Sequence, residues 1–175
     1  SSDVCSSDLV IRQQRIDVFG LMLRRVGKEL ADSIVGSAIS TLTYGVTPIP
    51  IAGNDISYAD LANLYGSFGS FQMKAVVASP AVMAQILVMS QMLEASSEDV
   101  TEIRLPFGAR LINCPQLDNH TVIGIDTDFA LEQIRSSDVV LETDKLIDCQ
   151  LDSIGVSLNV GFRVLMTGAV KVLSV

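Results

Sequence analysis

The sequence predicts an α+β protein, and two stretches near opposite ends of its 175 residues carry that prediction. Residues 13–42 have the apolar spacing of one long amphipathic helix, whereas residues 154–166 alternate apolar and polar side chains as a strand does. Shorter helix and strand patterns lie between them. A helix of about 30 residues would span roughly 45 Å, so we expect it to lie across a sheet.

The long helix shows apolar residues at every third or fourth position: Ile16, Phe19, Leu23, Val26, Leu30, Ile34 and Ala38. A second apolar line widens the predicted buried face: Val18, Met22, Val35, Ile39 and Leu42. Gly20, Gly27 and Gly36 interrupt the pattern, and each costs roughly 0.5–1 kcal/mol relative to alanine. Tertiary packing must therefore stabilise this helix.

The segment after the long helix is rich in residues that break regular structure. It contains Gly45, Pro48, Pro50 and Gly53 within residues 43–54. Neither helices nor central strands tolerate proline well, so we expect a connector that crosses between two domains. A short helix over 58–66 follows, because Ser57 and Asp60 have the spacing of a capping box.

A strand followed directly by a helix is predicted next. Residues 74–78 are rich in strand-forming side chains, and Ser79 with Pro80 has the pattern of an N-cap and first turn for a helix reaching Leu93. Met83, Met89 and Met92 on this helix are predicted to fill gaps in an aliphatic core. The acidic, polar residues 94–102 are predicted to form a surface loop.

The remaining elements are predicted from alternation and turn residues. Strands are expected at 109–114, 121–125, 139–142, 154–166 and 169–175, and a brief helix at 128–135 that Asp126 or Thr127 would cap. We expect the last two strands to form a long C-terminal β-hairpin that packs against the long helix. The middle of the chain would then form a separate, compact α/β lobe.

Composition excludes several classes of protein. A hydrophobic content of 49% with 18% charged residues argues against disorder, and no apolar run reaches the roughly 18 residues of a membrane-spanning helix. Twelve basic and 20 acidic residues give a charge of −8, which disfavours nucleic-acid binding through a basic surface. Cys5, Cys114 and Cys149 lack the spacing of a metal site and are predicted to be free thiols.

Residues 1–9 resemble the in-frame translation of a sequencing adapter, as found at the ends of open reading frames assembled from metagenomes. We exclude them from fold prediction. The tetrapeptide Ser-Ser-Asp-Val within them recurs at residues 136–139, where it separates two predicted elements and is taken as genuine.

No catalytic, cofactor-binding or metal-binding residues are predicted. Asp126 and Asp128 could act as paired carboxylates, but beside a helix start they are more simply caps. Four weaker features were considered and set aside: an acidic helical face at Asp144, Asp148 and Asp152, a catalytic role for His120, a phosphate loop at Gly66 and Gly69, and a nucleotide signature.

Several stretches, in order, resemble the major capsid proteins of tailed bacteriophages, which have the fold named after phage Hong Kong 97. The C-terminal segments that carry the resemblance are Val-Val-Leu-Glu-Thr-Asp-Lys-Leu-Ile-Asp-Cys-Gln-Leu-Asp (139–152), Ile-Gly-Val-Ser-Leu-Asn-Val-Gly-Phe (154–162) and Ala-Val-Lys-Val-Leu-Ser-Val (169–175). Residues 15–19, 57–64 and 126–132 are similar to the family's spine helix, first axial helix and short helix before the return strand. The resemblance covers about residues 11–175.

The resemblance implies a shell subunit with the Hong Kong 97-like fold, in which the spine helix packs on a C-terminal β-hairpin. The implied domains are a peripheral domain over 10–54 and 146–175 and an axial domain over 55–145. The family's N-terminal arm and extended loop would precede Val10, so we expect an N-terminally truncated fragment that assembles poorly. Cys149 stands where relatives often carry a basic residue.

The resemblance also implies the partners. The protein would assemble with itself into pentamers, hexamers and a closed shell in the virion, with a scaffolding protein, portal and maturation protease as further partners, and without membrane or sequence-specific nucleic-acid binding. Two alternatives stay open. One is an encapsulin-like compartment shell; the other is a small α/β enzyme or ligand-binding domain that uses the strand and helix at 74–93.

Overall fold

The computed structural model describes residues 18–51, 53, 55–94, 102–146 and 151–175. Its described helices are α1 (Val18–Thr43), α2 (Tyr58–Gly66), α3 (Pro80–Leu87) and α4 (Ser90–Glu94). Its described strands are β1 (Ile49–Pro50), β2 (Ala75–Ala78), β3 (Arg110–Asn113), β4 (Thr121–Ile125), β5 (Leu131–Arg135), β6 (Val140–Leu146), β7 (Leu151–Ser157), β8 (Val160–Val164) and β9 (Val170–Ser174). A single 3₁₀ turn, Thr167–Ala169, precedes β9.

A mixed five-stranded sheet in the order β1-β9-β4-β2-β3 organises the core. Strand alternation sends Val76, Val122 and Leu173 to one face, where α2 and α3 cover them. Val77, Ile123 and other residues face the opposite side, where Leu42 at the end of α1 packs. The proline in β1 is tolerated because β1 is an edge strand that pairs with β9 alone in the sheet.

Most of the predicted elements are confirmed. The long helix occupies Val18–Thr43, and its predicted start at residues 13–17 lies outside the described residues. Helix α2 has the predicted bounds, and both halves of its capping box are formed. Met92 is buried and Met83 and Met89 pack against the core, as predicted. The predicted loop at 94–102 lies almost entirely outside the described residues.

The single helix predicted to reach Leu93 is instead divided into α3 and α4. Val88 and Met89 form the turn between them, and Val88 is 78% exposed. Ile86 and Met92 are both buried. Residues six positions apart point about 120° apart on a straight helix, so the break allows both side chains to reach the same core.

The helix predicted at 128–135 is wrong. The backbone N–H groups of Phe129 and Ala130 donate to the Asp126 carbonyl, so a turn does form after this residue. Beyond it, Leu131–Arg135 becomes β5 and pairs antiparallel with β8 over five residues. The hydrogen bonds between β5 and β8 join distant parts of the chain. They outweigh the capping pattern, which acts locally and specifies one turn.

The predicted C-terminal hairpin is also wrong in its strand pairing. β8 pairs with β5, and β9 joins the five-stranded sheet between β4 and β1. The long ribbon that does form is built from β5 and β8, here called the proximal ribbon, and from β6 and β7, here called the distal ribbon. The sheet joins strands from all three predicted domain ranges, and the division at 54, 55, 145 and 146 stays a prediction.

Substituting the α2 cap should destabilise the protein modestly. The Ser57 hydroxyl accepts from the Asp60 N–H at 3.3 Å, and the Asp60 carboxylate accepts from the Ser57 N–H at 3.0 Å. We expect Ser57→Ala to cost about 1 kcal/mol, or about 2–4 °C in melting temperature, because it leaves a helix N–H without its acceptor. Ser90→Ala, which removes a hydroxyl bonded to the exposed Gln91, is the control and should change the melt by less.

Candidate assembly surface

Helix α1 lies against β8 and leaves a groove of about 670 Å³ beside it. The groove walls are mostly apolar and include Ile34, Ala38, Leu42, Cys114 and Phe162. Cys114 is buried and its thiol is free, as predicted; Cys5 and Cys149 lie outside the described residues. The polar groups on its rim, Lys28, Asp32 and Gln116, bond to one another, and its described lining holds no nucleophile beside a base, so it resembles packing space more than an active site.

A polar contact fixes α1 to the turn between β3 and β4. The side-chain amide of Gln116 donates to Asp32 Oδ1 at 2.7 Å, and Lys28 Nζ lies 2.6 Å from Asp32 Oδ2. The contact of Gln116 with Asp32 bridges 84 positions of sequence and sets the helix against the sheet. A polar contact between residues so far apart in sequence cannot be predicted from apolar spacing.

The outer face of α1 differs from the prediction. Leu23, Val26 and Leu30 on the first apolar line are half-buried, but Met22 on the second line is 52% exposed and Val35 is exposed as well. Met22 and its neighbour Leu21 therefore leave an apolar strip on the surface of the single chain. The apolar face of α1 is therefore wider than the area that the sheet and the proximal ribbon bury.

The distal ribbon also exposes apolar side chains. Val140 and Leu141 are 44% and 53% exposed, and Val139 just before them is 54% exposed. Because successive strand residues point to opposite faces, exposure at both Val140 and Leu141 means that neither face is covered there. A two-stranded ribbon of this kind is marginally stable in water by itself.

A second exposed apolar group, here called the base patch, lies where β5 begins and β8 ends. It consists of Phe129, Leu165 and Met166, which two backbone hydrogen bonds hold together: Leu165 N–H to Ala130 O and Met166 N–H to Phe129 O. Each of the three is 42–51% exposed. Tyr44, at the end of α1, is 88% exposed. Aromatic and methionine side chains are enriched at protein interfaces.

Asp126 was the most plausible chemical candidate in the sequence, and the structure gives it a structural role. Its carboxylate is buried and accepts from the Gln72 N–H at 3.1 Å and from the Asp128 N–H at 3.2 Å, while Lys74 Nζ lies 3.8 Å away. The predicted cap is therefore real, although it caps a turn and not a helix. Because both donors are backbone N–H groups, the carboxylate serves to fix the backbone at Gln72 and Asp128.

The other candidates are not brought together. Asp144 and Asp152 lie on paired strands of the distal ribbon, so they share no helical face; Asp148 lies outside the described residues. His120 is exposed in a turn, where its carbonyl accepts from the Val175 N–H. Gly66 ends α2, and Gly69 follows in a turn with a φ of +61°.

Lys74 and Asp128 form a surface ion pair whose effect on stability should depend on pH. The hydrogen bond from Lys74, reinforced by its charge, lowers the pKa of Asp128, and the same hydrogen bond raises the pKa of Lys74. A lowered carboxyl pKa stabilises the fold above about pH 4 and loses that effect as the pH falls; a raised lysine pKa loses its effect above about pH 10.

We therefore expect Asp128→Asn to lower the melting temperature slightly at pH 7 and by less and less as the pH falls towards 2. Melts of both proteins across this range would test it. A difference that stays constant down to pH 2 would contradict the ion pair as its cause. The difference at pH 7 should also shrink in high salt, because exposed charges are screened.

Within the part of the chain that the structure describes, no group of side chains has the makings of a metal site. Among the same residues, no helix combines the length and apolar character needed to cross a membrane.

No protein-family model matches the sequence, and no curated protein matches it. Solved structures do match. The capsid of a native GTA particle aligns with a TM-score of 0.72 at 15% identity, covering 90% of this chain and 65% of that one. The holo encapsulin complex of Synechococcus elongatus aligns with a TM-score of 0.71 at 15% identity, again over 90% and 65%.

A structure of Mycobacterium phage Che8 aligns with a TM-score of 0.68 at 18% identity, covering 87% of this chain and 61% of that one. The chain thus spans less than two thirds of the length of each of these solved chains. The chain has the α+β fold named after phage Hong Kong 97, as the sequence predicted: a long N-terminal helix, a mixed sheet and long paired strands.

Proposed function

We propose that this chain is a structural subunit of an icosahedral bacteriophage capsid, which self-assembles through pentamers and hexamers to enclose the viral genome. The distal ribbon carries the proposal. Its exposed Val140 and Leu141, on opposite faces, would be covered if neighbouring copies packed on both sides. Many modest contacts repeated around closed symmetry give a stable shell.

The rest of the molecule suits this role. The base patch and the outer face of α1 supply further apolar area for contacts between copies. The charge of −8 would keep the inner wall from adhering to packaged DNA. A shell role needs no active site, so the proposal assigns the chain no catalytic activity and no cofactor.

Under this proposal the chief partner is the protein itself, in the virion, after assembly in the cytoplasm of a bacterial host. A scaffolding protein, a portal and a maturation protease are the further partners that a tailed-phage capsid would use. The peripheral domain over 10–54 and 146–175 and the axial domain over 55–145 belong to the same proposal.

The test is to express the product of the complete gene and examine it by light scattering and cryo-electron microscopy. We expect closed particles with pentamers and hexamers. A full-length product that stays monomeric at high concentration would overturn the proposal. Leu141→Asp should reduce particle yield about tenfold or more, because a charge cannot be buried in an apolar contact. Ser90→Asp, which adds a charge at an exposed position elsewhere, should assemble normally.

The second candidate function is an encapsulin-like compartment shell, which the similarity to an encapsulin complex favours as well. The genes beside this one discriminate between the two. A long sequencing read that shows portal, protease or scaffold genes supports the phage capsid, whereas a cargo-enzyme gene supports the compartment shell. The small α/β enzyme is the weakest alternative. Lys74 and Ala75 do border a polar cavity of about 330 Å³, but its described lining includes no histidine, cysteine or carboxylate to act as a nucleophile or base.

A further inference from the structure

The long ribbon is interrupted at one place by a mismatch in length. The proximal ribbon pairs five residues, ending at Arg135 opposite Val160, and the distal ribbon begins at Val140 opposite Ser157. Between these pairs, residues 136–139 on one strand oppose only residues 158–159 on the other. The Ser136 N–H donates to the Asn159 carbonyl at 3.1 Å within this interval.

The shorter strand keeps its alternation of side-chain exposure through the mismatch. From Gly155 to Val164 its residues alternate without a break between exposed and half-buried. The ladder is interrupted at Leu158 and Asn159, where the opposite strand carries two more residues. The alternation predicted for 154–166 is confirmed for 155–164 and fails at Leu165 and Met166, which are both exposed. The surplus lies in the Ser-Ser-Asp-Val tetrapeptide at 136–139.

A surplus of two residues can bend the longer strand and still leave its later side chains on their original faces. An insertion of one residue would turn every later side chain to the other face, but an insertion of two restores the alternation. The additional length is about 7 Å of strand, which the longer strand must absorb by bending and twisting. A surplus of this kind favours a bend between the proximal and the distal ribbon at the tetrapeptide.

The two parts of the ribbon differ in how they are held. β8 of the proximal ribbon lies against α1, and Phe162 lines the groove beside that helix. Residues 140–144 of the distal ribbon are exposed. The distal ribbon thus projects from an anchored base, and its direction at the tetrapeptide decides where Val140 and Leu141 are presented.

From this geometry we infer that the two-residue surplus at 136–139 fixes the angle between adjacent copies, and with it the curvature of the shell. The partner is a second copy of this chain, which contacts the exposed distal ribbon. The inference rests on the proposed function. A ribbon straightened at this point would offer the same side chains in a different direction, so copies would still associate but at a different angle.

The experiment compares particle diameters among full-length proteins. One variant deletes Ser137 and Asp138, which equalises the strands at two residues each; a second inserts two serines between Leu158 and Asn159, which equalises them at four. The control, Ser137→Ala with Asp138→Ala, keeps the length. We expect the control to form particles of wild-type diameter, and at least one equalised variant to fold and form particles of another diameter, tubes or open sheets.

Each outcome has a distinct meaning. Wild-type diameter in a folded, equalised variant would overturn the inference while leaving the proposed function intact. If neither equalised variant folds, the surplus serves folding and the inference also fails. If the wild-type protein forms no particles at all, the proposed function fails first. A changed diameter in the control would assign the effect to side chains and contradict the role of length.

Discussion

Replacing Asp126 with alanine is expected to lower the free energy of unfolding by about 2–4 kcal/mol, since a buried carboxylate that accepts two backbone N–H groups is lost. The residue joins three parts of the chain. Its carboxylate holds Gln72 before β2 and Asp128 in the turn after β4, and its own N–H donates to the Ala169 carbonyl at 2.9 Å. Alanine leaves donors without acceptors beside the core.

Two variants make this prediction specific. Asp126→Asn keeps one oxygen of similar position, so we expect it to lose about half as much stability as the alanine variant. Asp128→Asn changes an exposed carboxyl two residues away and should cost much less stability than either Asp126 variant. Chemical unfolding of the three variants would give the free energy of unfolding of each one and so rank the three losses. Equal losses in Asp126→Ala and Asp128→Asn would contradict the structural role of the buried carboxylate.

Local signals in the sequence were reliable wherever local interactions decide the structure. The capping box of Ser57 and Asp60 is satisfied within four residues, and it fixed the start of α2 correctly. The apolar spacing of α1 extends over many turns, so the helix was predicted correctly wherever the structure describes it. In both cases the information lies close in sequence to the element that it specifies.

The failures lie where distant segments compete. Asp126 was predicted to cap a helix and caps only a turn, because Leu131–Arg135 beyond that turn gain more from pairing with β8 than from continuing as a helix. The alternation predicted for 154–166 is confirmed for 155–164, yet it could not identify the partner strand. Alternation shows which residues share a face, whereas pairing depends on segments up to 33 positions away, such as Leu131 with Val164.

The candidate surface was only partly predictable. Apolar spacing predicted burial of Met22, which the single chain leaves 52% exposed. Under the proposed function the pattern is accurate for the assembled shell, because the same side chain would be covered by a neighbouring copy. A hydrophobic pattern cannot say whether its cover comes from the same chain or from another one.

The second large effect is expected at Gly124 in the middle of β4. A Cβ atom built there would lie 2.9 Å from Met73 Sδ and 3.1 Å from Phe68 Cε2, both in buried side chains. Gly124→Val should therefore lower the free energy of unfolding by about 1–3 kcal/mol or more, because an overpacked core must shift its side chains or its strands. Thermal and chemical unfolding would measure the loss.

Gly161 in β8 supplies the matched control. It is also a strand glycine, but a Cβ atom there would meet nothing within 4 Å. Gly161→Ala should leave stability unchanged or raise it by about 0.4–1 kcal/mol, because alanine restricts the unfolded chain. If the two substitutions had equal effects, the contact of β4 with Phe68 and Met73 would not be the cause. If the contact is the cause, the double variant Met73→Ala with Gly124→Val should lose less stability than the sum of the two single losses, since the smaller side chain makes room for the valine.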